Sequence, residues 1–287
     1  MLGAELPWVS VAALGSSLTG GASDFLSGTV SRRVGVLRFL IGSRLIAVTA
    51  LGAAVVLFGR HSPSAKDALE AVTAGLALTV GLYAFIRASV EGPMTIVAPV
   101  SATGVVVPIA AGIVAGARPG SVQLAGIVAA VAGVAAVGYS PSAAVDNEPR
   151  TSGLGWPAVA ALGTGAFFWL MALASRGDVL WSLFIVQAVP AACFAVVARQ
   201  NGVRVLDLVR LGGDRAVVCS SLLGLSSAVL YALATSRGQL VIVSVLASLF
   251  PVVPVVLAYL LLHERVARTQ YAGIGVVLMG IVMMGAG

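Results

Sequence analysis

The chain has 287 residues, of which 59% are hydrophobic and 10% charged, with a formal net charge of +6 and a mean hydropathy of +1.04. Soluble domains carry about 25% charged residues, so water is excluded as the solvent of this fold and lipid is the one that fits. The arginines are scattered rather than clustered, which excludes a nucleic-acid patch and places them at membrane edges.

A helix crosses the hydrocarbon core with about 20 apolar residues. Runs of that kind cover 8–30, 39–59, 71–89, 93–116, 121–140, 154–174, 179–198, 216–236, 239–262 and 268–286, which predicts an all-α multi-pass membrane protein of about ten spans. Barrel strands would alternate apolar and polar residues, and these runs do not. The first run lacks a basic flank and is long enough to span, so it is expected to be a helix and not a signal peptide. Cys193 and Cys219 fall inside runs and are expected to be buried thiols.

In the first span Asp24 lies about two turns before Arg32-Arg33; in the second, Arg44 follows Arg38 by a little under two turns. Charges at membrane depth are rare and are functional candidates by default. Three roles are open for this pair: a structural ion pair, a gate that breaks and reforms, or Asp24 as a proton-coupling carboxylate or substrate ligand. The third span brings Tyr83. The fourth carries Pro99 and Pro108 with Ser101 and Thr103, and the ninth carries Pro251 and Pro254 with Ser244 and Ser248. Proline removes a backbone donor and bends a helix, so these two spans are expected either to line a pathway or to hold static kinks. Trp169 lies within the sixth span, Gln187 in the seventh and Tyr231 in the eighth. Trp8, Trp156 and Trp181 sit near span ends, where indoles anchor at the interface. Arg87 and Glu91, and Glu264 with Arg265, are expected to be solvated edge pairs. His61 and His263 have no metal-site spacing, and no cofactor or metal is expected. The stretch between Arg199 and Arg215 interleaves apolar and charged residues and is expected to lie on the membrane surface as an amphipathic helix.

The chain also resembles itself. A shift of 147 superimposes Ser101 on Ser248, Arg118 on Arg265, Gln123 on Gln270, Gly126 on Gly273 and Gly133 on Gly280. With one extra residue Tyr83 falls on Tyr231, and Ala12–Gly15 on Ala160–Gly163. Near Asp24 a slightly smaller shift sets Phe168 opposite it, and Gln187 and Ala188 fall near the position of Arg44. Two five-span units are expected, 1–145 and 153–287, joined by a linker over 146–152. An odd number of crossings makes the second unit enter from the opposite face. Inverted repeats of this kind are a common plan for secondary transporters, with the substrate site between the halves.

The repeat, the two tyrosines, the proline-bearing spans and Leu262-His263-Glu264-Arg265-Val266 resemble the EamA-type ten-helix members of the drug/metabolite transporter superfamily. The second span, Phe39-Leu40-Ile41-Gly42-Ser43-Arg44-Leu45, is similar to that family's arginine-bearing second helix. The resemblance implies a basket of ten helices around a central cavity, alternating access and a small metabolite, amino acid or drug as cargo, often exported. Ala117-Arg118 departs from the family's Glu-Arg pair, and the Gly20–Asp24 stretch replaces its early tryptophan.

The expectation is therefore a transporter, not an enzyme, in the inner (plasma) membrane. Its partners would be a small-molecule substrate, protons and membrane lipid, and it would act as a monomer or homodimer. A membrane-embedded enzyme or lipid scramblase remains the alternative. Loops after the odd-numbered spans carry roughly twice the Lys and Arg of the other side, which places both termini outside the cytoplasm; the family resemblance implies both inside.

Overall fold

The computed structural model describes residues 6–59, 62–93, 97, 100–101, 103–114, 120–138, 155–175, 177–202, 214–237, 243, 252–261 and 268–286. Among the described residues the fold is helical, with no strand. The elements are α1 (Leu6–Val34), α2 (Val36–Phe58), α3 (Ala65–Glu91), a 3-10 turn η1 (Thr103–Val105), α4 (Val106–Val114), α5 (Ser121–Gly138), α6 (Gly155–Ala174), α7 (Val179–Gln200), α8 (Arg215–Arg237), α9 (Val252–Leu261) and α10 (Arg268–Ala286).

Local chemistry sets the helix ends. Gly35 alone separates α1 from α2, with φ at 90°. That left-handed conformation is one that glycine adopts without a Cβ penalty. Ser64 caps α3 by accepting from Asp67 N, and Asp178 caps α7 by accepting from Leu180 N and Trp181 N. Asp214 accepts from Ala216 N at 2.9 Å at the start of α8. Each cap satisfies amide donors that the first turn leaves unpaired.

Five helices are long and apolar enough to cross a membrane on their own: α2, α3, α6, α7 and residues 215–236 of α8. Their outer faces carry large apolar side chains. Val56, Leu57 and Phe58 are more than two-thirds exposed, as suits a surface solvated by lipid rather than water. The 29-residue α1 would be about 44 Å long at 1.5 Å per residue, yet it is not among these five. Besides Asp24, Arg32 and Arg33 it carries Ser16, Ser17, Ser23, Ser27 and Ser31, all of them buried.

The most extensive helix contacts are α5 with α10, α3 with α6, and α1 with α8; α2 with α7 and α3 with α7 come next. The α1–α8 contact is a polar zipper. Ser16 Oγ donates to Ser227 O (2.9 Å) and Ser227 Oγ to Ser16 O (2.8 Å). Ser23 Oγ donates to Ser220 O (2.9 Å), Ser220 Oγ to Ser23 O (3.2 Å), and Ser27 Oγ pairs with Ser220 Oγ (2.9 Å). The α3–α6 contact is backbone on backbone: a Cβ on Gly163 would lie 2.5 Å from Gly81 N. Small residues allow this close approach in the absence of a hydrophobic drive between helices. Among the described side chains of the α5–α10 pair, the buried positions are Gly126 and Gly133 on one side and Gly273 and Gly280 on the other.

The helix ends fix directions. Arg32 Nε donates to Ser89 O, and its Nη2 to Ser89 O and Gly92 O, at 2.7–3.0 Å. The end of α1 thus meets the end of α3. Arg33 Nη2 meets Asp214 Oδ2 at 2.6 Å, so the start of α8 lies at that same edge. Gly177, just past α6, packs on the Asp67 carboxylate in the first turn of α3, which places the end of α6 at the opposite edge.

One expectation needs correction. The thiols are not both buried: Cys193 is partly buried and Cys219 exposed, because an apolar residue in a span faces lipid as readily as protein. The proline inside a described helix is Pro190 of α7. Pro108 is the third residue of α4, where a missing N–H is tolerated, and Pro254 is fully buried in α9. In the fourth span the irregularity is η1, which contains Gly104, four residues before Pro108. A proline clashes with the carbonyl four residues back, and the Gly104 carbonyl is turned against Gly165 of α6. Pro99, Pro251, Ser244, Ser248, His61, His263, Glu264-Arg265, the linker 146–152 and most of the amphipathic stretch lie outside the described residues.

Candidate functional site

α1, α2, α3, α6, α7 and α8 enclose a cavity of about 160 Å3. That is room for several waters or a small solute. Asp24 and Arg44 both line it, and so do Ser101, Gln187 and Tyr231. These five sequence candidates are therefore gathered around one space, although they come from five separate segments. Phe168, the position opposite Asp24 in the repeat, lines it as well.

An Asp24–Arg44 ion pair, one of the three roles open for these residues, is not made among the described residues. Arg44 Nη1 instead donates to Gln187 Oε1 across the α2–α7 contact. Its Nε is buried without a partner. Asp24 makes no hydrogen bond or ion pair among the described residues, while it lines the cavity. The physical reason lies in the packing: α2 meets α7 over a longer contact than it meets α1, so the buried amide of Gln187 (3% exposed) is the nearer acceptor. Ser101 Oγ is a second buried group without a partner.

The rest of the lining divides into two kinds. One wall is the serine–glycine zipper, with Ser16, Gly20, Ser23 and Ser27 of α1 facing Gly224 and Ser227 of α8. A Cβ on Gly20 would meet Ser227 Oγ and one on Gly224 would meet Ser23 Oγ, so the glycines make room for the hydroxyls. The remainder is apolar: Phe39, Phe85, Phe167, Phe168, Leu78 and Leu82. Phe168 stacks obliquely on Tyr231 with centroids 5.1 Å apart, and Tyr231 OH donates to Phe168 O at 3.4 Å.

Three sequence candidates are elsewhere. Trp169 is 37% exposed on the outer side of α6 and is absent from the lining. Tyr83 packs edge-on against Trp156, with centroids 5.8 Å apart. Thr103 Oγ1 donates to Val100 O at 2.6 Å within its own segment, and neither of these two lines the cavity. The Arg87–Glu91 edge pair is present. The zipper escaped the reading of single hydroxyls, yet its signal is in the chain: Ser16, Gly20, Ser23 and Ser27 recur at steps of four, three and four, which puts them on one helix face.

Residues 151–286 match the EamA-like transporter family. No curated protein matches the chain. Among 26 matching solved chains, one crystal structure is 16% identical with a TM-score of 0.63, covering 96% of this chain and 95% of its own. At that identity the likeness concerns the fold alone.

Proposed function

We propose that this chain, a multi-pass membrane protein that carries an EamA-like transporter domain over residues 151–286, is a secondary transporter. It exports a small organic metabolite across the inner membrane by alternating access around the central cavity, driven by protons that Asp24 carries. The observation that carries this reading is the cavity itself, which lies between helices of both halves and gathers Asp24 and Arg44 without pairing them.

Three features support two inverted five-helix units, 1–145 and 153–287. First, the same helix pairs are in contact, though to different extents, when each helix is exchanged with the one five places on. α1–α8 becomes α6–α3, α3–α7 becomes α8–α2, α1–α9 becomes α6–α4, and α2–α7 and α5–α10 map onto themselves. Second, repeat-matched residues meet where helices pair with their own counterparts. Arg44 bonds Gln187, and the glycines matched by sequence are buried in α5 and α10. A two-fold axis brings equivalent positions together only where it passes. Third, α1 ends at the edge where α3 ends, and α6 ends at the edge where α3 begins. Helices one and six therefore run in opposite senses, as in transporters whose two halves rock about a midplane site.

The test is flux from proteoliposomes holding the full chain, loaded with a panel of labelled metabolites, with and without a pH gradient. Asp24→Asn and Arg44→Gln are expected to lower flux at least tenfold, while Trp169→Leu, on the outer face, leaves it intact. No flux of any solute, or full flux in both cavity variants, would refute the reading. Flux indifferent to the gradient would remove proton coupling alone.

A further inference from the structure

We propose that Arg32 is a latch that holds the cavity shut at the edge where α1 and α3 end, and that it closes on an acceptor created by Pro93. This rests on the transport reading above and assigns the residue that controls access at that edge.

The acceptor follows from the sequence. The last ladder bond of α3 runs from Gly92 N to Ala88 O at 2.8 Å. The next would run from residue 93 to Ser89 O, but residue 93 is proline and has no N–H. The Ser89 carbonyl therefore needs a donor from outside the helix ladder. Arg32 supplies two, Nε at 3.0 Å and Nη2 at 2.7 Å, and its Nη2 also reaches Gly92 O at 2.8 Å. The helix dipole favours a cation at this end of α3. In the second half, the shift that sets Tyr83 on Tyr231 puts Val241 in the place of Pro93, and valine keeps its amide. Arg176, matched to Arg32, lies outside the described residues. The proline-made acceptor thus belongs to one edge and not the other.

The position suits a gate. The serine zipper and the Arg33–Asp214 pair tie α1 to α8, and glycine contacts tie α3 to α6. The α1–α3 contact is far smaller than either. Ser27 is the last residue of α1 to line the cavity and Phe85 the last of α3. Beyond them Val30, Ile86 and Ala88 share one buried apolar cluster, and past the cluster comes the guanidinium. Two tightly joined pairs of helices therefore meet at a slender seam that Arg32 bridges at its outer end. Arg32 is exposed, so water can take over its bonds as the edge parts. The adjacent Ser31 Oγ is buried without a partner, and a buried hydroxyl left so is costly. Water entering at this edge would satisfy it. The closed edge thus carries a strain that favours opening and a latch that opposes it.

Access is read without any cargo. Ser31→Cys and Ser175→Cys place near-isosteric reporters at repeat-matched, buried positions on the two edges, with Cys193 and Cys219 replaced by alanine. Each full-length protein is held in nanodiscs, where both faces meet solution, and its rate of reaction with a sulfonated maleimide is measured. Arg32→Gln should speed reaction at position 31 by roughly tenfold, the worth of one bond to a charged group, and leave position 175 unchanged or slower. Pro93→Ala should speed position 31 by at least about twofold, the lower bound for one neutral bond. It keeps Arg32 and gives Ser89 O a donor within the helix, so a faster rate there cannot come from a lost charge.

Equal acceleration at both positions would mean general loosening and would overturn the proposal, as would a rate at position 31 that neither variant changes. Should Arg32→Gln fail to fold, Pro93→Ala decides alone. If solute still crosses the proteoliposome membrane while position 31 ignores both variants, transport stands and the latch falls; if nothing crosses, the transport reading itself has failed.

Discussion

The crossing of α3 and α6 offers a sharp test of how this bundle is held together. A Cβ on Gly163 would lie 2.5 Å from Gly81 N, 2.6 Å from Gly81 Cα and 3.2 Å from Ala77 O. Carbon contacts settle at about 3.5–4.0 Å, so Gly163→Ala must part the two helices by roughly 1 Å. Backbone cannot rotate away, and a gap of that size forfeits roughly a quarter to a half of each contact along the seam. Overpacking of this kind costs about 1–3 kcal/mol. Gly15 occupies the matching position in the first half, where a Cβ would lie 3.2 Å from Leu230 Cδ1. That atom is the end of a rotatable side chain, and alanine also favours the helix over glycine by about 1 kcal/mol. Gly15→Ala should therefore be close to neutral. Unfolding by SDS titration, followed by tryptophan fluorescence, reads the difference. The double variant Gly81→Ala/Gly163→Ala should cost less than the sum of its parts, since the first methyl opens the gap the second would need. Equal effects at Gly15 and Gly163, or strict additivity at Gly81 and Gly163, would refute the argument.

Two further outcomes are expected. Asp214→Ala should destabilise more than Arg33→Ala in the same titration. Arg33 is 63% exposed in its ion pair, and such a pair contributes about 0–1 kcal/mol. Asp214 in addition caps α8 through Ala216 N, a bond worth about 0.5–2 kcal/mol; a larger loss from Arg33→Ala would contradict this. For orientation, a cysteine at the exposed Asn201, with Cys193 and Cys219 replaced, should escape an impermeant thiol reagent on intact cells and react once they are permeabilised. Labelling on intact cells would place both termini in the cytoplasm.

Apolar run length, scattered edge charges and the motifs along the chain were enough to foresee a helical membrane protein and the family whose model matches residues 151–286. The reason is that lipid leaves few solutions for a backbone, and helices with satisfied amides are the simplest. Asp24 and Arg44 stood out for the same reason, because a charge inside an apolar run is conspicuous in one dimension. Which groups they meet could not be read that way. The chain places Arg44 nearest to Asp24 through a shared turn at Gly35, yet its partner is Gln187. Trp169 and Phe168 are adjacent in sequence, yet the first faces outward and the second lines the cavity. Direction around a helix axis turns by about 100° per residue. Whether a given face meets lipid, another helix or the cavity depends on crossings such as Gly81 over Gly163 and Ser23 against Ser220, which are made between segments far apart in the chain. Composition settled the solvent and the elements of this protein; only the packing of one half against the other decided which side chains share a cavity and which are left there without a partner.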